Sequence, residues 1–526
     1  MGFIFPWEGR TMLRVEHLYL FLLIASVGFA HQRPRVVVTT DGEIDDKQSL
    51  VRFLHYCNEW DTEGLIYSNS IHHSVDNNWA GTDWMDEHID AYEQDYPNLR
   101  IHDEKYPHPD ELRAVISVGE QEKVGFPSSG GNGSTEGSDH IITLLEKDDD
   151  RPLFVQCWGG ANTAAQALYD LKHNRGYTEE EAQRIGNRMV VYLITTQEQP
   201  DSKPWIQDNF PQVRLLFLSF GFVAYRPWEA PFHESWTKEW KDANLCGSGA
   251  LGELVCGLNS WGQLVEGDTP SFLYNVPNGL RGMELPVYGS WGGRFYHYNR
   301  KSEDADKEFW HEAEDDGDLY KPLERWWTHT GNDYAARSSW CARGTYADAN
   351  HAPLVGDVGS LNRTVMPGQT INLSCVNSSD PDGDQLSYKW YHYYTWDNSA
   401  WYTETDPWSV SSNVTVSNAT QAVGASFTVP NEIGKHILIT LEVTDNGTPP
   451  LTRYAQIDFD IQATVAAARP SVTTPSFGRP TFERNKQTFF LDGSVAPTTG
   501  RDIAAGIRVT RNRCSGSAVS HITVTP

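Results

Sequence analysis

From Pro34 to about Pro353 short apolar runs alternate with segments of helical period, and that alternation restricts the fold more than any other feature. The runs are RVVVTT, GLIYSNS, PLFVQCW, MVVYLITT and VRLLFLSF, and the helical stretches include Asp45 to Tyr56 and Asn162 to Lys172. Strands that recur through helices build βαβ units, which set a mainly parallel sheet between two helical layers. The expectation for residues 31–354 is therefore an α/β domain. Ligands of such sheets bind at the C-terminal ends of the strands. The Gly/Ser-rich segment Phe126 to Asp139 is expected to be an exposed loop near that rim.

A chain of 526 residues exceeds one ordinary core, so further domains follow. Beyond Val355 the pattern changes to strands separated by turns: QTINLSC, LSYKWYHY, ASFTVP, HILITLEVTD and YAQIDFDI. That spacing predicts an all-β immunoglobulin-like sandwich over residues 355–463. Pro353, Gly356 and Gly359 mark the join as a linker between independently folded cores. Residues 464–526, rich in Thr, Ser, Pro and Arg, show no sustained period and are expected to form a disordered tail.

Residues 1–30 carry Arg10 and Arg14 ahead of the apolar run LYLFLLIASVGFA, the pattern of a signal peptide, and Met12 is an alternative start. A secreted, extracellular product without a membrane span is expected. Export permits disulfides, and among seven cysteines Cys246 and Cys256 are close enough to pair. It also permits glycosylation at Asn132, Asn362, Asn372, Asn377, Asn413, Asn418 and Asn446, each of which begins Asn-x-Ser/Thr. With 42 Lys and Arg against 70 Asp and Glu, the net charge of −28 would repel a phosphate backbone, so nucleic-acid polymers are excluded as partners. Aromatic residues reach 12%, which suits sugar rings as well as large cores.

The chemistry concentrates in VVVTTDGEIDD, Val36 to Asp46, where a buried strand runs into four acids within six positions. Carboxylates crowded this closely repel one another, and a bound hard cation such as Ca²⁺ relieves them. Asp45 and Asp46 would equally suit the positive end of a helix. Two further motifs follow: PLFVQCWGGANTAAQAL, a strand with a glycine turn and a helix, and EGDTPSF from Glu266 to Phe272. Taken singly, the first is a common αβ connection and the second an N-cap or turn.

TTDGEIDD resembles the Asp-rich strand end of the nucleoside hydrolases, and the other two motifs fall in that family's order. The resemblance implies that Asp41 is both a Ca²⁺ ligand and the general base for a water, that Asp46, Asp268 and the Trp158 carbonyl complete the ion's shell, and that Asp45 contacts a sugar hydroxyl. It also implies a place for Asn69 near metal and sugar. Thr39 replaces the family's first Asp, Gly42-Glu43 replaces Pro-Gly, and Gly267 stands where the family has a His that in some members protonates the leaving base. EGDTPSFLYNVPNGL, YGSWGGRF and NDYAARSSWCARGTYADANHAP are similar to a secreted subgroup called cellulose-binding, which has a C-terminal sandwich.

Trp291, beside Gly292-Gly293, is a candidate stacking platform for a sugar, or a plug at the domain edge. The acids Asp380, Asp382 and Asp384 could chelate Ca²⁺ or form a solvated turn. Together these readings predict a secreted hydrolase of glycosidic bonds in plant or microbial glycans, or a carbohydrate-binding protein that keeps the fold without turnover.

Overall fold

The structure, a computed structural model, describes residues 33–126, 131–195, 201–226, 234–258, 262–298, 307–393 and 410–463, and the backbone of 487–489, 507–514 and 517–524. The signal-peptide segment 1–30 lies outside the described residues.

Strand β1 (Arg35–Thr40) is the hub of an eight-stranded sheet. It pairs in parallel with β2 (Asp61–Tyr67) on one side and β4 (Leu153–Cys157) on the other. Beyond β2 lies β3 (Ile116–Val118); beyond β4 come β5 (Met189–Ile194), β6 (Arg214–Leu218), β8 (Phe309–Glu312) and β7 (Phe295–His297). Only the β7–β8 pair is antiparallel. Side chains alternate between two cores: Val36 and Val38 join one, Val37 the other, and the same division separates Tyr192 from Val191. A sheet buried on both faces needs apolar residues at every position, which is why these strands read as unbroken runs. The short strands β3, β7 and β8 carry too few residues to show such a run.

The helix Asn162–His173 follows β4 as the pattern predicts. The Gly/Ser-rich loop is shorter than the sequence implied, because Thr135 caps a helix at Glu136–Glu146 by accepting from Ser138 N–H. The segment 127–130 within it lies outside the described residues.

The sandwich packs a four-stranded sheet, ordered β11 (Ser387–His392), β13 (His436–Thr444), β14 (Thr452–Ile461), β9 (Asn362–Val365), against the pair β10 (Thr370–Ser374) and β12 (Val423–Thr428). Its six sequons are exposed, from Asn362 to Asn446. Asn132 is instead buried, and its side-chain amide donates to the Gly125 carbonyl, so that sequon is closed to a glycan in the folded chain. The Cys246–Cys256 disulfide is formed.

The two domains form one compact unit, not two cores on a flexible linker. Tyr454 of β14 is buried; its backbone N–H donates to Asn278 O, and its hydroxyl accepts from the Trp291 indole at 3.0 Å. Gly279 lies so close to Tyr454 that a Cβ would come within 1.9 Å of its carbonyl. Arg281 donates to Leu361 O and Arg453 to Asp333. At the join, His351 stacks on Tyr346 at 3.7 Å and its backbone N–H donates to Asp382. Asp380 in turn accepts from the backbone N–H groups of Asp382 and Asp384. Asp380 and Asp382 thus work as turn and joint formers. Pro and Gly in 353–359 suggested a linker because a local composition signal carries no information about contacts made a hundred residues away.

A separate unit at the C-terminus holds an antiparallel sheet of β15 (Gln487–Phe489), β16 (Ile507–Cys514) and β17 (Ser517–Val524), where the sequence reading expected a disordered tail. IRVTRNRC and SAVSHITV pair over eight positions, a period-2 pattern too polar to stand out as strands. The rest of that tail lies outside the described residues.

Two measurements check the interdomain joint. Calorimetry of the full chain is expected to show the α/β domain and the sandwich melting in one transition; separate transitions would contradict a shared core. Asp333 is fully buried, yet the charges of Arg453 and Arg337 outweigh that burial and hold its carboxyl well below the usual range. A depressed carboxylate contributes stability that is complete above the unfolded pKa of about 3.9 and fades as pH falls below it. Urea unfolding of Asp333→Asn should therefore show a deficit of about 3–5 kcal/mol at pH 7 that narrows toward pH 3. A deficit independent of pH would show that charge is not what binds this joint.

Candidate functional site

At the C-terminal end of β1 the chain turns through Asp41, Gly42 and Glu43 into the helix Ile44–Tyr56. Gly42 has φ +80°, and a Cβ there would stand 2.6 Å from Ala80 Cβ and 2.7 Å from the Trp84 indole nitrogen. The turn therefore requires glycine on grounds of both conformation and space. Asp46 reaches back to accept from the Thr40 hydroxyl and, at 3.2 Å, from Asp41 N–H. Asp45 and Asp46 occupy the first helical turn, where the helix dipole favours acids. Glu43, at the N-cap position, makes no side-chain capping bond.

The helix-start reading thus holds for position, but it does not account for the crowding. Oxygens of Glu43, Asp45 and Asp46 lie within 4.8 Å of one another. Burial and the charges of Asp45 and Asp46 push Glu43 up to about 8. Burial, together with Asp41 and Asp45, pushes Asp46 well up too. Counter-charge is sparse: Arg226 pairs with Asp45 at 3.2 Å and His73 approaches Glu43 at 3.8 Å. Asp45 Oδ1 is buried with no hydrogen-bond partner among the described residues. A crowded donor set made only of carboxylate oxygens suits a hard cation.

The remote motifs arrive by separate routes. The turn after β4 places Gly159 against Asp41, since a Cβ at Gly159 would be 2.9 Å from Asp41 Cβ. Trp158, next to it, donates its backbone N–H to Thr39 O and its indole to Ser271 Oγ at 2.7 Å. Asn69, at the end of β2, accepts from Asn162, and its own Nδ2 is buried without a partner among the described residues. Gln48, Ser49 and Arg52 on one face of the helix Ile44–Tyr56 bind Val265, Thr269 and Glu266 in turn. That clasp carries Gly267 to Asp45 and Asp268, buried, to the head of the helix Thr269–Leu273.

Gly267 is informative. A Cβ at this position would lie 2.5 Å from Asp45 Oδ2, so a side chain here and the Asp45–Arg226 pair compete for one space.

Trp291 is elsewhere. It is 1% exposed, sealed between the α/β domain and Tyr454, and no sugar ring can reach it. The plug reading is the correct one, and the glycine next to it serves close packing: a Cβ at Gly292 would strike Pro270 O at 2.2 Å.

Arg226 and His73, neither of which the sequence analysis named, line a cleft of about 520 Å³ with Gly42, Glu43, Asp45 and Lys47. His73 follows the strand end GLIYSNS, a signal that proximity to the rim could have supplied. Arg226 stands in a loop with no local pattern.

The family model described as "Cellulose-binding Sde182, nucleoside hydrolase-like domain" matches residues 35–295, and "Cellulose-binding protein Sde0182, C-terminal domain" matches 370–460. Among solved structures, a nucleoside hydrolase-related hypothetical protein from Saccharophagus degradans, described as associated with carbohydrate metabolism, is 31% identical with a TM-score of 0.67, covering 82% of this chain and 100% of its own. The PKD domain from KIAA 1837 protein matches at 18% identity and TM-score 0.15, covering 21% of this chain and 91% of its own. No curated protein matches the chain. The chain belongs to the cellulose-binding Sde182 family, with a nucleoside hydrolase-like domain followed by that family's C-terminal domain.

Proposed function

We propose that the α/β domain is a Ca²⁺-dependent hydrolase of glycosidic bonds in plant or microbial glycans, acting outside the cell. The observation that carries the reading is the set of buried carboxylates converging at the open end of β1, beside a cleft large enough for a sugar. Buried charge of one sign is costly unless something compensates it, and a ligand-binding role gives that cost a purpose. Asp41, Asp46, Asp268 and the Trp158 carbonyl are the proposed ligands, with Glu43 and Asp45 close enough to share in holding the ion. Bound there, the ion would make water a better nucleophile by lowering its pKa.

Asp41 is the proposed base, taking the proton as the nucleophile approaches the anomeric carbon. Asp45 orients a sugar hydroxyl, and Asn69 offers its unpartnered amide to the same ring.

A second reading, carbohydrate binding without turnover, is favoured by Gly267. Glycine carries no ionisable group, so residue 267 has no acid with which to protonate a leaving group.

A panel of chromogenic glycosides and nucleosides, with and without chelator, separates the two. The hydrolase reading expects product release that chelation abolishes; glycan binding with no release from any substrate would replace it with the binding reading. Within the hydrolase reading the ligands differ in role. Asp41→Asn keeps a ligand oxygen but removes the base, so turnover should fall by about 10²–10⁴-fold even at saturating Ca²⁺. Asp268→Asn should be partly rescued by excess Ca²⁺. Equal rescue of both would move the base away from Asp41.

A further inference from the structure

The joint between the α/β domain and the sandwich contains a row of hydrogen-bonding groups whose protons can be counted. His102 is the last residue of the helix Trp84–His102, His351 lies in the segment that runs into the sandwich, and Asp382 stands in the turn between β10 and β11. Both rings are buried. His102 Nε2 lies 2.8 Å from Arg343 O, His102 Nδ1 lies 3.0 Å from His351 Nε2, and His351 Nδ1 lies 3.0 Å from Asp382 Oδ1. The backbone N–H of His351 donates to the other Asp382 oxygen at 2.7 Å, which fixes how that carboxylate faces the ring.

The two ends of the row can only accept, since neither a peptide carbonyl nor a carboxylate carries a proton. Three hydrogen bonds therefore need three protons. Two neutral imidazoles supply two. The closed row thus holds one proton more than its neutral rings, shared between His351 and Asp382 at the acidic end. Removing it opens one of the three links. Adding a fourth sets two N–H groups against each other between the rings.

The surroundings suit a charge at this place. Tyr346 lies parallel to His351, with 1° between the planes and 3.7 Å between the ring centres, and Trp340 stacks on it at 5.2 Å. An aromatic face attracts a cation. The charged groups around the row are the acids Asp348, Asp380 and Asp103; Arg343 contributes its carbonyl, and no Lys or Arg pairs with Asp382 among the described residues. Burial, joined by the charge of His351 and opposed by the Arg343 carbonyl, holds His102 below the usual imidazole range. His102 is therefore the ring that resists a second proton.

We propose that His102, His351 and Asp382 form a proton-operated latch, which closes the joint between the two domains while the row holds its one extra proton and loosens it when that proton is lost or another is added. The latch is independent of what the acidic cleft binds. In the unfolded chain both histidines titrate at about 6.5. The proton that the folded row retains contributes stability that is complete below that value and is lost as pH rises past the point where the row releases it. The proton that the folded row resists costs stability as pH falls below about 6.5.

The test is the melting temperature of the full chain between about pH 5 and about pH 8.5 for the wild type, Asp382→Asn, His351→Gln and His102→Gln. Asp382→Asn is the sharpest probe, because its amide can donate to His351 and the row then closes with two protons. It should melt at least about 2 °C below the wild type at about pH 6 and draw level with it by about pH 8.5. The deficit of His351→Gln should shrink in the same direction, whereas that of His102→Gln should shrink as pH falls toward about 5. Deficits that do not change with pH, or that change the opposite way, overturn the latch. Hydrogen exchange of the wild type gives a reading that needs no variant. Corrected for its intrinsic pH dependence, exchange across residues 346–354 should be slowest at about pH 6.5 and faster on either side, while β13 stays protected throughout. Exchange across 346–354 that follows β13 at every pH also overturns it.

Discussion

Four carboxylates at the end of one buried strand impose the constraint that the rest of this molecule answers. Asp41, Glu43, Asp45 and Asp46 cannot all be ionised at close quarters without compensation. The protein meets this with short-range devices: Thr40 and Asp41 N–H donate to Asp46, and Arg226 is brought in from a loop beyond β6 to pair with Asp45. These leave Asp45 Oδ1 buried and unbonded among the described residues, and they do not offset burial and the neighbouring carboxylates, which push Glu43 and Asp46 toward protonation. A bound cation would resolve both.

The geometry around those acids is held by a buried charge pair that ties their own helix to a residue 214 positions further along the chain. Arg52 and Glu266 are both buried and 2.8 Å apart; with Gln48–Val265 and Ser49–Thr269 they clamp the EGDTPSF segment along the helix that begins at the acids. Burial of Glu266 pushes its pKa up, and the Arg52 charge opposes that. Breaking one partner of such a pair typically costs about 3–5 kcal/mol, because an uncompensated charge is left inside. The clamp also gives Gly267 a role: with the segment this close, glycine leaves the Asp45 carboxylate where it pairs with Arg226.

Much of this was legible in the chain. The runs RVVVTT and MVVYLITT announce strands buried on both faces, and the α/β fold follows from their alternation with helices. The acids of TTDGEIDD announced a site, since no strand end needs that many. Arg226 and His73 stayed hidden because a single loop residue has no period to betray it. Trp291 was ambiguous because a glycine-flanked tryptophan looks alike on a binding face and in a tight interface; only Tyr454, contributed 163 residues later, decides. The shared interdomain core was invisible for the same reason.

The central claim, that these acids are assembled around a cation, is tested most directly by titrating Ca²⁺ into the metal-free full chain and following heat and melting temperature. The account predicts saturable binding and a melting temperature that rises with Ca²⁺, because an ion that binds only the native state stabilises it. It predicts that both effects are lost in Asp41→Ala and in Asp46→Ala. Binding and melting that are unaltered in both variants, or a wild-type protein that takes up no Ca²⁺, would contradict it.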